Sequence, residues 1–250
     1  MTTDPRTYTY PDDVLRDRII LITGASDGIG KALALHAAGL GAQVILHGRN
    51  VNKLEEVYDE IEAIDGVQRP SIAVMDLASA NSESYTTLAD SIAQEFGRLD
   101  GLVLNAGILG ERYSIEQYDA VVWQRVMHVN VTSAFALTQV FLPLLKASDD
   151  ASIIFTSSGV GRTGKAFWGA YAVSKFATEG LSQVLADEHR QGTLRSNCIN
   201  PGPTRTSMRL AAYPAEERDK LKGPGDILSP YVYLLGPDSK GVTGMSIDAQ

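Results

Sequence analysis

The chain has little of several things that would settle its class at once. It carries a single cysteine, Cys198, in 250 residues. That excludes an intramolecular disulfide framework and predicts a reducing, cytoplasmic setting. Asn197-Cys198-Ile199 reads as a buried strand end, so the thiol is expected to be inert packing. Positive charge is also short: 22 Lys and Arg against 30 Asp and Glu give a formal charge of -8, which argues against nucleic acid as a main partner. No uninterrupted apolar run approaches the roughly 20 residues that span a bilayer, so no membrane partner is expected. The four histidines, His36, His47, His128 and His189, show no metal-ligand spacing, and no metal is expected. The opening stretch 1–17 is polar, acidic and interrupted by Pro5 and Pro11; it has the pattern of neither a secretory signal nor an arginine-rich transit peptide.

What is present is ordered. Hydrophobic residues make up 44% and charged residues 21%, an ordinary globular balance. A length of 250 residues suits one domain over 1–250, with 1–17 as an N-terminal extension. Strand-like runs at 18–23, 43–47, 71–75, 101–104, 152–156, 195–199 and 245–248 alternate with helix-like segments at 30–40, 51–64, 82–96, 117–146, 170–191 and 226–235, without an internal repeat or a low-complexity linker. This alternation predicts an α/β fold: a Rossmann-type, doubly wound parallel sheet of about seven strands with helices on both faces. Ligands of such sheets bind beyond the carboxyl ends of the strands. The chemically suggestive residues fall there: 24–30, Asp76, Asn105 to Gly107, Ser158 and Pro201 to Thr206.

Two patterns carry chemistry. Gly24-Ala-Ser-Asp-Gly28-Ile-Gly30 follows a buried aliphatic strand and opens a helix, the context that a dinucleotide-phosphate loop requires. Gly24 would allow the tight turn, Gly28 the approach of pyrophosphate, and Gly30 close packing of helix on strand. The helix N-terminus would offer free N–H groups and a positive dipole end to the anion. Farther along stands Tyr171-Ala-Val-Ser-Lys175, thirteen residues after Ser158. A tyrosine and a lysine four apart share a helix face. An ammonium one turn away would favour the phenolate and pull the phenol's pKa down from about 10. Ser158 could then hold a substrate oxygen beside the phenol, an arrangement that suits proton exchange with an alcohol or carbonyl. Ser157 is the alternative serine, and the thirteen-residue offset favours Ser158.

Taken together these residues resemble the short-chain dehydrogenase/reductase family in its single-domain form, over nearly the whole chain. Thr23-Gly24-Ala25-Ser26-Asp27-Gly28-Ile29-Gly30 looks like the family's cofactor loop. Asp76-Leu77 looks like the pair that recognises adenine, and Asn105-Ala106-Gly107 is similar to the motif closing the fourth strand. Asn130 falls where the family's helix-borne asparagine belongs, the alternative being a mere helix kink. Ser158, Tyr171 and Lys175 fall in the catalytic positions, and Pro201-Gly202 with Thr204 and Thr206 matches the segment that holds the nicotinamide carboxamide. Val160-Gly161-Arg162, Trp168-Gly-Ala-Tyr171 and Phe176-Ala-Thr-Glu179-Gly look similar to one bacterial subgroup. The resemblance implies hydride transfer between nicotinamide and a small-molecule carbonyl or alcohol, with Tyr171 as acid–base, Ser158 positioning the oxygen, Lys175 lowering the tyrosine pKa and binding the ribose, and Asn130 holding a water. It also implies a homo-oligomer, tetramer before dimer, pairing the helices 117–146 and 170–191.

The cofactor expected is NADP, with NAD as the alternative. The second strand ends Leu46-His47-Gly48-Arg49-Asn50, with no carboxylate for the ribose hydroxyls, whereas the Arg49 guanidinium suits a 2′-phosphate. Asp27 would oppose that phosphate unless it turns outward, and Arg49 as a plain solvated residue is the other reading. The substrate pocket is expected between Ser158 and Trp168 and in a lid over 205–222, with Trp168 and Met208 as its candidate residues. Phe167 and Trp168 would form an apolar wall beside Tyr171, the other reading of both being packing at a helix entry or subunit interface. The segment's apolar residues, Met208, Leu210, Ala211, Ala212 and Tyr213, suggest a partly hydrophobic substrate. Two alternatives stand: a 3-oxoacyl-[acyl-carrier-protein] reductase, and a non-catalytic dinucleotide sensor or scaffold. Against the first, Ala136 and Asp187 occupy positions where dedicated enzymes of that kind carry basic side chains toward the acidic carrier. Against the second stands the intact set Asn130, Ser158, Tyr171 and Lys175.

Overall fold

The computed structural model describes residues 4–250. Seven strands form one sheet in the order β3-β2-β1-β4-β5-β6-β7, and every neighbouring pair runs parallel. They are β1 (Ile19–Thr23), β2 (Gln43–Gly48), β3 (Ser71–Val74), β4 (Gly101–Leu104), β5 (Ala151–Thr156), β6 (Leu194–Asn200) and β7 (Ser246–Asp248). β1, β4 and β5 are buried at every residue, as expected of strands covered on both faces. The chain reverses direction across the sheet between β1 and β4, so a crevice opens beyond Thr23 and Leu104. The fold expected from the alternation is the fold observed.

The helices are α1 (Gly28–Gly39), α2 (Val51–Glu62), α3 (Ser82–Phe96), α4 (Ala120–Met127), α5 (Ser133–Lys146), α6 (Gly169–Glu188), α7 (Ser207–Ala212) and α8 (Ser229–Leu235). Their stripes explain their places. In α2, Leu54, Val57 and Ile61 are buried, one apolar face at helical spacing. Asn50 caps that helix by accepting from the Lys53 amide at 3.1 Å. Two large hydrophobic cores result, one on each face of the sheet, with a smaller cluster of Trp168, Tyr171, Ala172 and Ala212 beside them among the described residues. One joins β1 and β2 residues to α1, α2 and α8, and the other joins them to α3, α5 and α6. Cys198 is buried, and burial pushes its thiol up to about 12.

The predicted helix over 117–146 is broken up. A short 3-10 turn at Ile115–Gln117 precedes α4, and a π turn, His128–Thr132, joins α4 to α5. The continuous span Ala120–Lys146 is long and apolar enough, by length and composition, to cross a membrane, yet half of its most apolar window is buried within the fold. Of the extension 1–17, residues 1–3 lie outside the described residues. Tyr8 donates to Asp238 at 2.8 Å and packs edge-on against Tyr233, and Leu15 is fully buried, so the described part is tied to the body.

Candidate active site

Beyond the strand ends lies a cavity of about 520 Å³. Gly24 and Gly28 turn the chain into it with φ of 69° and 56°, the left-handed region that glycine enters freely. A Cβ at Gly30 would stand 2.2 Å from the Gly24 carbonyl oxygen, so the start of α1 can approach the strand end only as glycine. Asp27 caps α1, accepting from the Gly28 amide at 2.7 Å, while its other oxygen accepts from the Ser207 hydroxyl at 2.7 Å. Its carboxylate is thus engaged with the helix end and with α7. Thr23 ties β1 to β4, its hydroxyl accepting from the Asn105 and Ala106 amides at 2.9 and 3.0 Å.

The opposite end of the cavity collects Ser158, Trp168, Tyr171 and Lys175. Lys175, buried on α6, donates from Nζ to the Thr156 carbonyl at 2.6 Å and sits 5.6 Å from the Tyr171 ring centre. The expected lowering of the phenol's pKa is not what this geometry gives. Burial pushes Tyr171 up to about 12, and the Ser158 hydroxyl is the partner that draws it the other way. Burial acts on the amine as well, bringing Lys175 down to about 8 against the opposing fields of Cys198 and Glu179. The neutral phenol and a mostly charged amine are therefore the forms held at neutral pH.

Asn130 lies in the π turn. Its Nδ2 donates to the Ile108 carbonyl and the Ser174 hydroxyl, and its Oδ1 accepts from the Ile108 amide at 2.8 Å. The side chain thus braces the loop after β4, and a Cβ on Gly107 would lie 3.3 Å from its oxygen and 3.8 Å from Lys175 Nζ. Ser157 also lines the cavity, but its hydroxyl is engaged, donating to Glu179 at 2.5 Å.

The cavity is lined by Gly24, Ser26, Asp27, Gly28, Ile29, Arg49, Asn105, Ala106, Gly107, Pro201, Gly202, Thr204, Thr206 and Met208 among the expected residues. Gly30 and Asn130 stand behind the lining. Asp76 and Leu77 do not line it: Asp76 accepts from the Ala78 amide at 3.0 Å, and Leu77 is buried. Of the two aromatics before α6, Trp168 lines the cavity while Phe167 does not. Phe167 is exposed and takes φ 68°, a left-handed turn that sends Trp168 inward. The 205–222 segment contains the short helix α7, which presents Met208 and Ala212 to the cavity and leaves Leu210 exposed.

Sequence reasoning missed Asn50, Lys53, Leu109 and Arg209, all in the lining. Lys53 had a readable signal: a second cation four residues after Arg49, in the first turn of a capped helix. Above Trp168 the wall is cationic and aromatic. Tyr213 packs 5.8 Å from Trp168, Arg112 lies over both rings at 4.9 and 5.0 Å, and Arg209 covers Tyr213 at 4.0 Å while pairing with Glu216 at 2.5 and 2.6 Å. Among the described residues no cluster of His, Cys, Asp and Glu could hold a metal ion.

A sequence model of the short chain dehydrogenase family matches residues 18–217. The chain is 54% identical over 243 residues to the uncharacterised oxidoreductase YciK of Escherichia coli K12, covering 97% of this chain and 96% of that one. This relative fits the bacterial subgroup that the motifs around Arg162, Trp168 and Glu179 resemble. A short chain dehydrogenase from Escherichia coli CFT073, crystallised with NADPH, superposes with a TM-score of 0.94 at 54% identity, covering 96% and 100% of the two chains. Another from Shigella flexneri 2a, crystallised with NADP, gives 0.94 at 52% identity over 96% and 100%.

Proposed function

This chain belongs to the short-chain dehydrogenase/reductase family, and we propose that it is an NADP(H)-dependent oxidoreductase acting on a carbonyl or secondary alcohol, with Tyr171 as the acid–base. One observation carries the reading: a single cavity has Arg49, Asn50 and Lys53 at one end, the glycine turn in the middle, and Ser158, Tyr171 and Lys175 at the other. The cradle fits a dinucleotide, because Gly24 and Gly28 adopt left-handed turns and Gly30 leaves no room for a side chain. Arg49 and Lys53 fit the 2′-phosphate that distinguishes NADP, and the relatives crystallised with NADP and NADPH support that choice over NAD. Bound NADP(H) supplies the hydride.

The chain's own residues then handle the proton. As the carbonyl oxygen gains charge, Ser158 donates a hydrogen bond that orients and stabilises it. Tyr171, kept neutral by burial, gives up its proton to that oxygen. Lys175, charged at neutral pH, offsets the phenolate that forms. Asn130 keeps the loop after β4 in place through Ile108. The apolar side, Leu109, Trp168, Met208 and Ala212, favours a free, partly hydrophobic carbonyl compound over a carrier-bound acyl chain. Asp187, fully outside and paired with Arg190 at 2.8 Å, offers an acidic carrier nothing. The exposed Phe135, on α5, and Val173, Phe176 and Val184, on α6, support a homo-oligomer, tetramer before dimer, through those helices.

The test is NADPH oxidation screened against diketones, aldehydes, quinones, ketosteroids and oxoacyl thioesters, with Tyr171→Phe as the blank. Carbonyl-dependent oxidation well above the blank is expected. A protein that binds NADPH tightly but never exceeds the blank would be the sensor instead, and preference for an oxoacyl-carrier thioester would restore the carrier-protein reading.

A further inference from the structure

Two sequence motifs remain without a task in this scheme: the turn ending in Arg162 and the stretch of α6 ending in Glu179. The fold brings them together. Arg162 Nε lies 3.6 Å from Glu179 Oε1, and Glu179 is 9% exposed at its side chain. That same oxygen accepts from Ser157 at 2.5 Å and from Ser246, on β7, at 2.8 Å. Arg162 continues the chain of contacts to Ser246 at 2.9 Å and to Asp248 at 2.7 Å, and Asp248 accepts from Asn200 at 2.8 Å. A carboxylate this deep is costly unless its lone pairs are satisfied, and here two hydroxyls and a guanidinium converge on it.

Its position along α6 gives the network a direction. Tyr171, Lys175 and Glu179 recur every four residues, so they stack along one face of the helix. Ser157, which Glu179 holds, is the immediate neighbour of Ser158. The carboxylate therefore grips the end of β5 from behind while lying one turn beyond the amine. We propose that Glu179 is a positioning residue that fixes the Ser157–Ser158 strand end and keeps the ammonium of Lys175 charged, with Arg162 setting how much of that negative charge the amine feels. The inference rests on the reading of Ser158, Tyr171 and Lys175 as the reacting set.

The other groups around the amine bear differently on it. Tyr171 and Cys198 are held neutral by burial, and Tyr231, which meets the Thr156 hydroxyl at 3.4 Å, is held neutral by burial as well. Packed against α6, α4 carries Arg125 and the π turn carries His128. Arg162 and Asp248 form an exposed pair at the far side of Glu179. Among these, Glu179 and Cys198 are the groups whose fields favour the charged amine, against a larger cost of burial. With Cys198 protonated, the buried carboxylate is the anion left for that work.

The experiment reads Lys175 directly, without turnover: trace labelling with acetic anhydride across neutral to alkaline pH, quantified at Lys175 by peptide mass spectrometry. In the parent protein the reactive free amine should appear with a midpoint at about 8. Glu179→Gln removes the negative charge and should lower that midpoint by about one pH unit. Arg162→Gln unmasks the carboxylate and should raise it. Opposite shifts are the signature, since a structural loss would move both variants the same way. Unchanged midpoints, or shifts of one sign, would overturn the proposal. If Glu179→Gln does not fold, Arg162→Gln, at an exposed rim position, decides alone by the sign of its shift.

Turnover of 9,10-phenanthrenequinone with NADPH supplies the second arm. Glu179→Gln should lose about tenfold in kcat with its NADPH affinity kept. Opposite labelling shifts in a protein that reduces no carbonyl would leave the coupling standing and remove the oxidoreductase reading. A fall in kcat without any labelling shift would do the reverse.

Discussion

The two walls of the cleft are held by different physics. On the wall proposed to be catalytic, Asn130, Ser157, Tyr171 and Lys175 are buried, and three of them are tied to backbone or to another buried group. Lys175 bonds the Thr156 carbonyl, Asn130 bonds both backbone groups of Ile108, and Ser157 bonds Glu179. On the facing wall, α7 and the residues after it are held by half-exposed pairs: Arg209 with Glu216, Arg209 and Arg112 over Tyr213, and Ser207 with Asp27. Buried networks have one good arrangement and lose much when broken. Half-exposed ion pairs and cation–ring contacts are worth little each and can be rearranged. On the proposed reading, the reaction would be set by the wall with the buried network and substrate choice by the wall whose contacts are more easily rearranged.

The comparison can be broken by substitution, and the largest effect belongs to the buried side. Tyr171→Phe should cost about 10²–10⁴ in kcat for quinone reduction with NADPH affinity unchanged, measured by stopped-flow and fluorescence titration; retention of more than a tenth of the parent rate would break the contrast. Next comes pH. His47, at the end of β2, is fully buried, neither ring nitrogen has a partner, and burial brings it from 6.5 down to about 4. Unfolding lets it take up a proton between those values, so its contribution is intact above pH 6.5 and is lost as pH falls toward 4. The loss should reach on the order of 3 kcal/mol in urea unfolding, and His47→Leu should flatten that slope.

At the cofactor end, Arg49→Ala should raise the KM for NADPH by about 10- to 100-fold, the worth of a charged hydrogen bond, and leave that for NADH nearly unchanged. Equal effects on the two cofactors would sink the assignment of Arg49 to the 2′-phosphate. The smallest effect is expected on the adjustable wall. Glu216→Gln frees Arg209 and should change kcat less than about threefold while altering the ranking of carbonyl substrates. A loss as large as that of Tyr171→Phe would show the two walls to be equally rigid.

The sequence made much of this legible because the informative residues are local. A glycine turn directly follows a strand, and a tyrosine and lysine lie one helical turn apart; such spacings survive without knowledge of the fold. The strand alternation likewise fixed the sheet, since buried parallel strands read as aliphatic runs. Three features were not legible. α7 has six residues, too few for a helical pattern to stand out. The direction of the tyrosine shift is not legible from spacing because burial, a property of the whole fold, sets it. The meeting of Arg162, Glu179 and Ser246 depends on β7 joining the sheet beside β6, a contact that no local spacing announces.

The π turn at His128–Thr132 has a consequence of its own for anyone who would improve this protein. A π turn is commonly one residue more than a regular helix needs, so the helix through Ala120–Lys146 contains a surplus that tidier hydrogen bonding would discard. Asn130 sits inside that surplus. A one-residue deletion there would smooth the helix and remove the brace on the loop after β4 in the same stroke. Regularity of this helix and its hold on the loop after β4 are therefore alternatives at this one turn.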